Sequence, residues 1–302
     1  MSDSHHLSIL PQRPLLEGKN SFVQLVFLFL FVLLGTIVFS SAGLLVSHLV
    51  WGTDVAEHPT AGYYRLLQAF NAVGTFLIPA LLFSYAHYHR WFTYSQADCA
   101  VNDAMKWLYV SLLSFFLIPV VGLVATLNGM IHLPDFLGGL SAWMAEVEAE
   151  SNSILETILG DQGVCVLLLN ILICAVFPAV CEEFFFRGTL QPFFRNWFRN
   201  KHAAVWVTAI IFSAIHLQFS GFFARLLLGA YLGYLFVWSG SLWLPILAHL
   251  LHNTLSIVFP NVIAYFNLPI SENASLLQQL PLALMCIIIS VGLILMLYRR
   301  RI

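Results

Sequence analysis

The chain has 302 residues, 60% of them hydrophobic and only 9% charged, against about 45–50% apolar and about 25% charged in soluble proteins; a soluble globule is excluded. The formal net charge is −2, with no basic stripe of the kind that binds nucleic acid, so no nucleic-acid partner is expected. The five cysteines (Cys99, Cys165, Cys174, Cys181 and Cys286) form no CxxC pair, and neither a disulfide framework nor a catalytic thiol is expected.

The first twenty residues are polar. The apolar run that follows, 21–50, is too long for the h-region of a signal peptide and reads as an uncleaved signal anchor. Ser40 and Ala42 imitate a cleavage site, but apolar sequence resumes directly after them. A bilayer core takes about 20 apolar residues per helix. On that criterion eight spans are predicted, near residues 21–50, 66–86, 107–127, 162–194, 203–218, 222–238, 242–260 and 279–298. Between the third and fourth, the stretch Met144 to Leu159 mixes acids with apolar residues at helical spacing and predicts a surface helix. Asn273-Ala274-Ser275 matches a glycosylation sequon.

The joints alternate in charge. Arg13 and Lys19 precede the first span, Arg90 and Lys106 flank the joint after the second, Arg195, Arg199 and Lys201 follow the fourth, and Arg299, Arg300 and Arg301 end the chain. The other joints hold Asp54 and Glu57, then Asp135, Glu146, Glu148, Glu150, Glu156 and Asp161, then Glu272, with Arg65 the basic exception. The positive-inside rule then places both termini in the cytoplasm. His5, His6, His87 and His89 fall in polar joints and are expected to be solvated.

Ionisable residues inside spans are costly and mark functional sites by default. Here they gather in the second half of the chain. The fourth span carries Cys181-Glu182-Glu183-Phe184-Phe185-Phe186-Arg187-Gly188. Glu183 and Arg187 are four apart on one helical face, whereas Glu182 points about 100° away. Glu183 therefore has a counter-ion, and Glu182 is left as the carboxylate facing a polar cavity, placed to act as a general base.

The fifth span ends in Phe212-Ser213-Ala214-Ile215-His216, and the seventh carries His249-Leu250-Leu251-His252-Asn253, with His249 and Asn253 on one face. A carboxylate, two imidazoles and an amide on three helices suit the activation of water and the stabilisation of an oxyanion. Depth adds a condition. His216 lies roughly 22 Å along its helix from Lys201, so the fourth helix has to continue to about Arg195 to bring Glu182 level with it. His249 is shallower, roughly 12 Å from Ser241, unless the joint Ser239-Gly240-Ser241 is itself sunk.

Simpler roles suit the remaining candidates. Phe184 to Phe186 read as packing, His252 as a structural residue bonded to a neighbouring helix, and Arg225 as a side chain that snorkels to the interface.

Glu182 to Arg187 reads EExxxR, Phe212 to His216 reads FxxxH, and His249 to Asn253 reads HxxxN. In this order on separate apolar helices, they resemble the CPBP (ABI) family of intramembrane proteases, which includes the Rce1-type CAAX prenyl proteases and bacteriocin-processing-like bacterial proteins. The resemblance covers roughly residues 162–258, with Gly188, Leu242-Trp243 and Pro245 as framing.

It implies an all-α, polytopic membrane protein of about eight transmembrane helices, with a conical, cavity-forming catalytic bundle. The implied activity is a glutamic-type endopeptidase acting on membrane-associated peptides or proteins, without metal or other cofactor. Glu182 would activate water with help from His216; His249 and Asn253 would form the oxyanion site, and Glu183, Arg187 and Phe212 would support them. The expected organisation is a cytoplasmic tail at 1–20, a transmembrane region with an outer acidic loop at 21–160, the catalytic core at 161–258, and a loop, last helix and basic tail at 259–302. The expected location is the plasma membrane of a bacterium. The residues leave open a metal-dependent peptidase and a non-catalytic scaffold or immunity protein.

Overall fold

The computed structural model describes residues 13–161, 163–266 and 275–300, the side chains of 264–266 excepted. The expectations for His5, His6, Glu272, the Asn273 sequon and Arg301 lie outside the described residues. The protein is all helical, with no strand among the described residues. Helix α1 spans Ser21–Trp51; α2 (Ala61–Ala72), a π turn and α3 (Ile78–Tyr88) form one rod, and α4 spans Ala104–Gly129. The surface helix α5 (Gly138–Leu159) follows, then a second rod of α6 (Val164–Ile171), α7 (Phe177–Phe185) and α8 (Gln191–Phe198) joined by π turns. The bundle closes with α9 (Lys201–Ala214), α10 (Phe222–Ser239), α11 (Trp243–Phe266) and α12 (Leu276–Arg299).

Among the described residues, seven helical rods are long and apolar enough to cross a membrane, which makes this an integral, multi-pass membrane protein. The fifth predicted span departs from expectation. Helix α9 stops at Ala214, so it is only about 21 Å long at 1.5 Å per residue. Ile215 and Leu217 keep the hydropathy high but are not helical; Leu217 sits at φ 52°, where an L-residue with a branched side chain rarely rests. The fourth span meets its condition, as the second rod runs unbroken from Val164 to Phe198.

Prolines explain the joints within the rods. Each of the three π turns (Val73–Leu77, Leu172–Val176 and Phe186–Leu190) is followed two residues later by a proline: Pro79, Pro178 and Pro192. Proline lacks the N–H for an i→i−4 bond, and a wider turn lets the helix continue past it.

Antiparallel succession gathers Lys19, Arg90, Lys106, Arg195, Arg199, Lys201 and Arg300 at one end, the basic end, and the acidic joints at the other. Much of α1 remains open to lipid, including Phe22, Phe29 and Leu34. Lipid tails are as apolar as leucine, so close packing rather than water exclusion holds such helices together. Where α1 crosses the π turn at 73–77, a Cβ on Gly35 would lie 2.2 Å from the Gly74 carbonyl oxygen. Only glycine fits that crossing. Arg65 is no surface exception: it is buried, donating from Nε to Asn170 Oδ1 (2.8 Å) and from Nη2 to the Ile158 carbonyl (2.6 Å), and pairing with Asp161 (3.3 Å). It thereby pins the end of α5 to α2 and α6. His87, expected in solvent, is half-buried against Phe83 and Tyr94 and bonded to the Phe83 carbonyl (3.0 Å).

Candidate active site

The three motifs converge on one cavity of about 440 Å³, whose walls include Glu182, Phe212, His216, His249, His252 and Asn253. Glu183 and Arg187 stand behind this wall, each fully buried. Arg187 Nη1 donates to Glu183 Oε1 at 2.7 Å, the i,i+4 pair expected from helical phase. Its Nη2 donates to the carbonyl of Gly229 on α10 at 3.0 Å, and its guanidinium lies 4.7 Å from the centroid of the Phe212 ring. Two carboxylates on adjacent residues are thus separated in role. Glu183 is paired with a cation inside the bundle, while Glu182 makes no ion pair among the described residues and lines the cavity; the Oε2 of each is buried without a protein partner.

His249 adds a contact that helical phase within one helix could not reveal. Its Nδ1 lies 2.8 Å from Glu183 Oε1. A carboxylate only accepts, so the imidazole donates from Nδ1 and leaves Nε2 for other chemistry. Glu183 therefore holds Arg187 and His249 on one oxygen. His216 is fixed in the same manner, with Nδ1 donating to the Phe212 carbonyl at 2.7 Å. It stands in the turn after α9 and not on the helix itself. The Phe212 ring is wedged among these groups, edge-on to His216 (5.1 Å), His249 (5.9 Å) and Phe186 (5.1 Å).

The shallow position of His249 is resolved at the joint before α11. Ser241 and Leu242 are completely buried beneath the segment between α3 and α4. Ser241 Oγ donates to the Cys99 carbonyl (2.5 Å) and Trp243 Nε1 to that of Ala97 (3.0 Å). Helix α11 thus starts below the basic end of the bundle, and residues near its beginning reach the level of Glu183.

Phe184, Phe185 and Phe186 belong to the buried core, as packing residues should. One simpler reading is overturned. His252 bonds no neighbouring helix through Nδ1, which is buried without a partner, and it lines the cavity. Arg225 reaches back to the loop before α10, where Nη1 donates to Gln218 Oε1 at 3.0 Å and Nη2 to the Gln218 carbonyl, and in doing so it lines the cavity as well.

Sequence reasoning missed the wall residues Gln68, Leu155 and Leu159, which come from α2 and α5 and carry no motif. It also missed Gly229 and Gly233, whose carbonyls accept from Arg187 and Gln191 (3.0 Å each); their GxxxG spacing in an apolar helix was the available signal. Among the described residues, no group of three or more His, Cys, Asp or Glu side chains is arranged to hold a metal ion.

Residues 165–255 match the family model described as Rce1-like, type II CAAX prenyl endopeptidase. The matched stretch begins in α6, ends in α11 and contains all three motifs. No curated protein and no solved structure matches the chain.

Proposed function

From the match of residues 165–255 to the Rce1-like CAAX protease family model, we propose that this membrane protein hydrolyses peptide bonds of membrane-associated peptides or proteins, using Glu182 to activate water. The observation that carries this reading is the asymmetry of the two carboxylates. Glu183 is tied through Oε1 to Arg187 and His249 and stands off the cavity, whereas Glu182 lines the cavity and makes no ion pair among the described residues; each carboxylate keeps its Oε2 without a protein partner.

In the proposed reaction Glu182 takes a proton from water, and the resulting hydroxide adds to the scissile carbonyl carbon. The carbonyl oxygen becomes an oxyanion. The Asn253 amide donates to it without carrying charge, and His249 donates from Nε2–H as imidazolium, which Glu183 supports at Nδ1. Glu182 then passes its proton to the leaving nitrogen as the C–N bond breaks. His216, held at Nδ1 by the Phe212 carbonyl, has Nε2 available to orient the water. Residues 161–258 serve as the catalytic core, with part of the cavity wall supplied from before residue 160. We assign the basic end to the cytoplasm on the positive-inside rule.

The test is hydrolysis of a fluorogenic peptide library by purified protein in phosphatidylcholine vesicles, comparing wild type with Glu182→Gln. Removal of a general base is worth about 10²–10⁴ in rate, and the variant should lose at least that much while its unfolding temperature stays unchanged. Full activity in Glu182→Gln would refute the assignment. Activity lost on chelation and restored by zinc would replace it with a metallopeptidase, and wild type with no hydrolysis of any peptide would favour a scaffold.

A further inference from the structure

Arg225 is a cation within the span of α10 for which the proposed chemistry has no use. Such residues are expensive inside a membrane and are retained where they serve a ligand or a partner. Its guanidinium lies back over Gly221 at the start of α10, where an added Cβ would come within 2.7 Å of Nη1, and forms part of the cavity wall that includes Glu182. Among the described residues it bonds Gln218 alone, a neutral residue. It makes no ion pair among the described residues, and its Nε is buried without a partner. Glu148 of α5 is the carboxylate whose charge acts on Arg225, but the two form no ion pair, and both Glu148 oxygens accept from Ser220, from N at 3.2 Å and from Oγ.

A guanidinium has five N–H donors in a planar fork that matches a carboxylate. Gln218 uses one donor on each Nη and at the same time fixes the direction of the fork. We infer that Arg225 is a specificity-determining residue of this cavity and receives a carboxylate of the substrate, either the C-terminal α-carboxylate or an acidic side chain a short distance beyond the scissile bond. This rests on the hydrolytic reading above. Glu182 and Arg225 line one cavity of about 440 Å³, so bond and carboxylate are held together, and cleavage falls at a fixed, short distance from the negative charge.

The experiment uses the full chain in phosphatidylcholine vesicles and three versions of one cleavable peptide: free C-terminal acid, C-terminal amide, and the amide with Asp placed after the scissile bond. A charge-assisted hydrogen bond is worth about 1.5–3 kcal/mol, or roughly 10- to 100-fold in kcat/KM. Wild type should prefer a carboxylate-bearing peptide to the plain amide by that factor. Preference for the free acid identifies the α-carboxylate, and preference for the Asp peptide identifies a side chain.

In Arg225→Gln the ratio should fall toward one, while Arg225→Lys should retain part of it. A wild-type ratio of one overturns the inference without recourse to any variant, as does a ratio that Arg225→Gln leaves intact. A ratio of one accompanied by rates that rise when phosphatidylglycerol is added assigns Arg225 to a lipid headgroup instead and also overturns it. No hydrolysis of any of the three peptides refutes the hydrolytic reading and this inference with it.

Discussion

Replacing Arg187 by methionine should be among the most damaging single changes in the bundle. The side chain is wholly buried and makes an ion pair with Glu183 at 2.7 Å, a hydrogen bond to the Gly229 carbonyl at 3.0 Å, and a cation–π contact with Phe212 at 4.7 Å. Methionine fills much of the same volume but leaves the Glu183 carboxylate buried with His249 as its one remaining partner. Breaking a buried pair by removing one member costs about 3–5 kcal/mol, most of it from the charge left behind.

Removing both charges should therefore cost less than removing one. The double variant Glu183→Gln/Arg187→Met is expected to be more stable than Arg187→Met alone, because a neutral amide still accepts from His249. Unfolding in detergent micelles, followed by circular dichroism for wild type, both single variants and the double, gives the coupling energy directly. An Arg187→Met protein within about 1 kcal/mol of wild type, or a double variant less stable than that single one, would show that Glu183 is not held as a buried anion. The assignment of free base to Glu182 would then lose its foundation, since the two carboxylates would no longer differ in kind.

Gly74→Ala places a Cβ 2.3 Å from Phe39 Cβ and 2.6 Å from the Gly35 carbonyl oxygen; overpacking of this kind should destabilise by about 1–3 kcal/mol, read by thermal unfolding, and no change would mean that α1 does not cross the rod there. At the basic end, the hydrogen bond from Arg300 holds the Asp103 carboxyl below its ordinary range. A depressed folded-state pKa means that this contribution to stability is present above the unfolded value of about 4 and is lost as pH falls through the folded one. Arg300→Gln should shift the Asp103 titration upward, measured by carboxyl ¹³C NMR, and an unmoved titration would place Arg300 elsewhere.

Much of the architecture was legible in the residues themselves because the bilayer simplifies the reading. Apolar length gives the spans, and the alternation of basic and acidic joints gives the antiparallel order. Helical phase also separated Glu182 from Glu183, since positions four apart on one helix share a face whatever surrounds them. The requirement that the fourth helix run past its own motif followed from rise per residue alone, and the rod to Phe198 meets it.

The bond from His249 to Glu183 could not be read in this way. The two residues are 66 positions apart on separate rods, and hydropathy reports distance from water without naming a neighbour. The burial of Ser241 under the Ala97–Cys99 segment was hidden for the same reason, and with it the level at which α11 begins. The end of α9 at Ala214 was obscured by apolar residues that continue beyond it.

Arg225 shows the limit most clearly. The sequence determined that a cation lies near the end of a span, where a long side chain can equally reach outward or inward. Only the tertiary structure decided what it borders there, because the loop carrying Gln218 lies within hydrogen-bond distance of the guanidinium and both residues line the cavity that Glu182 lines.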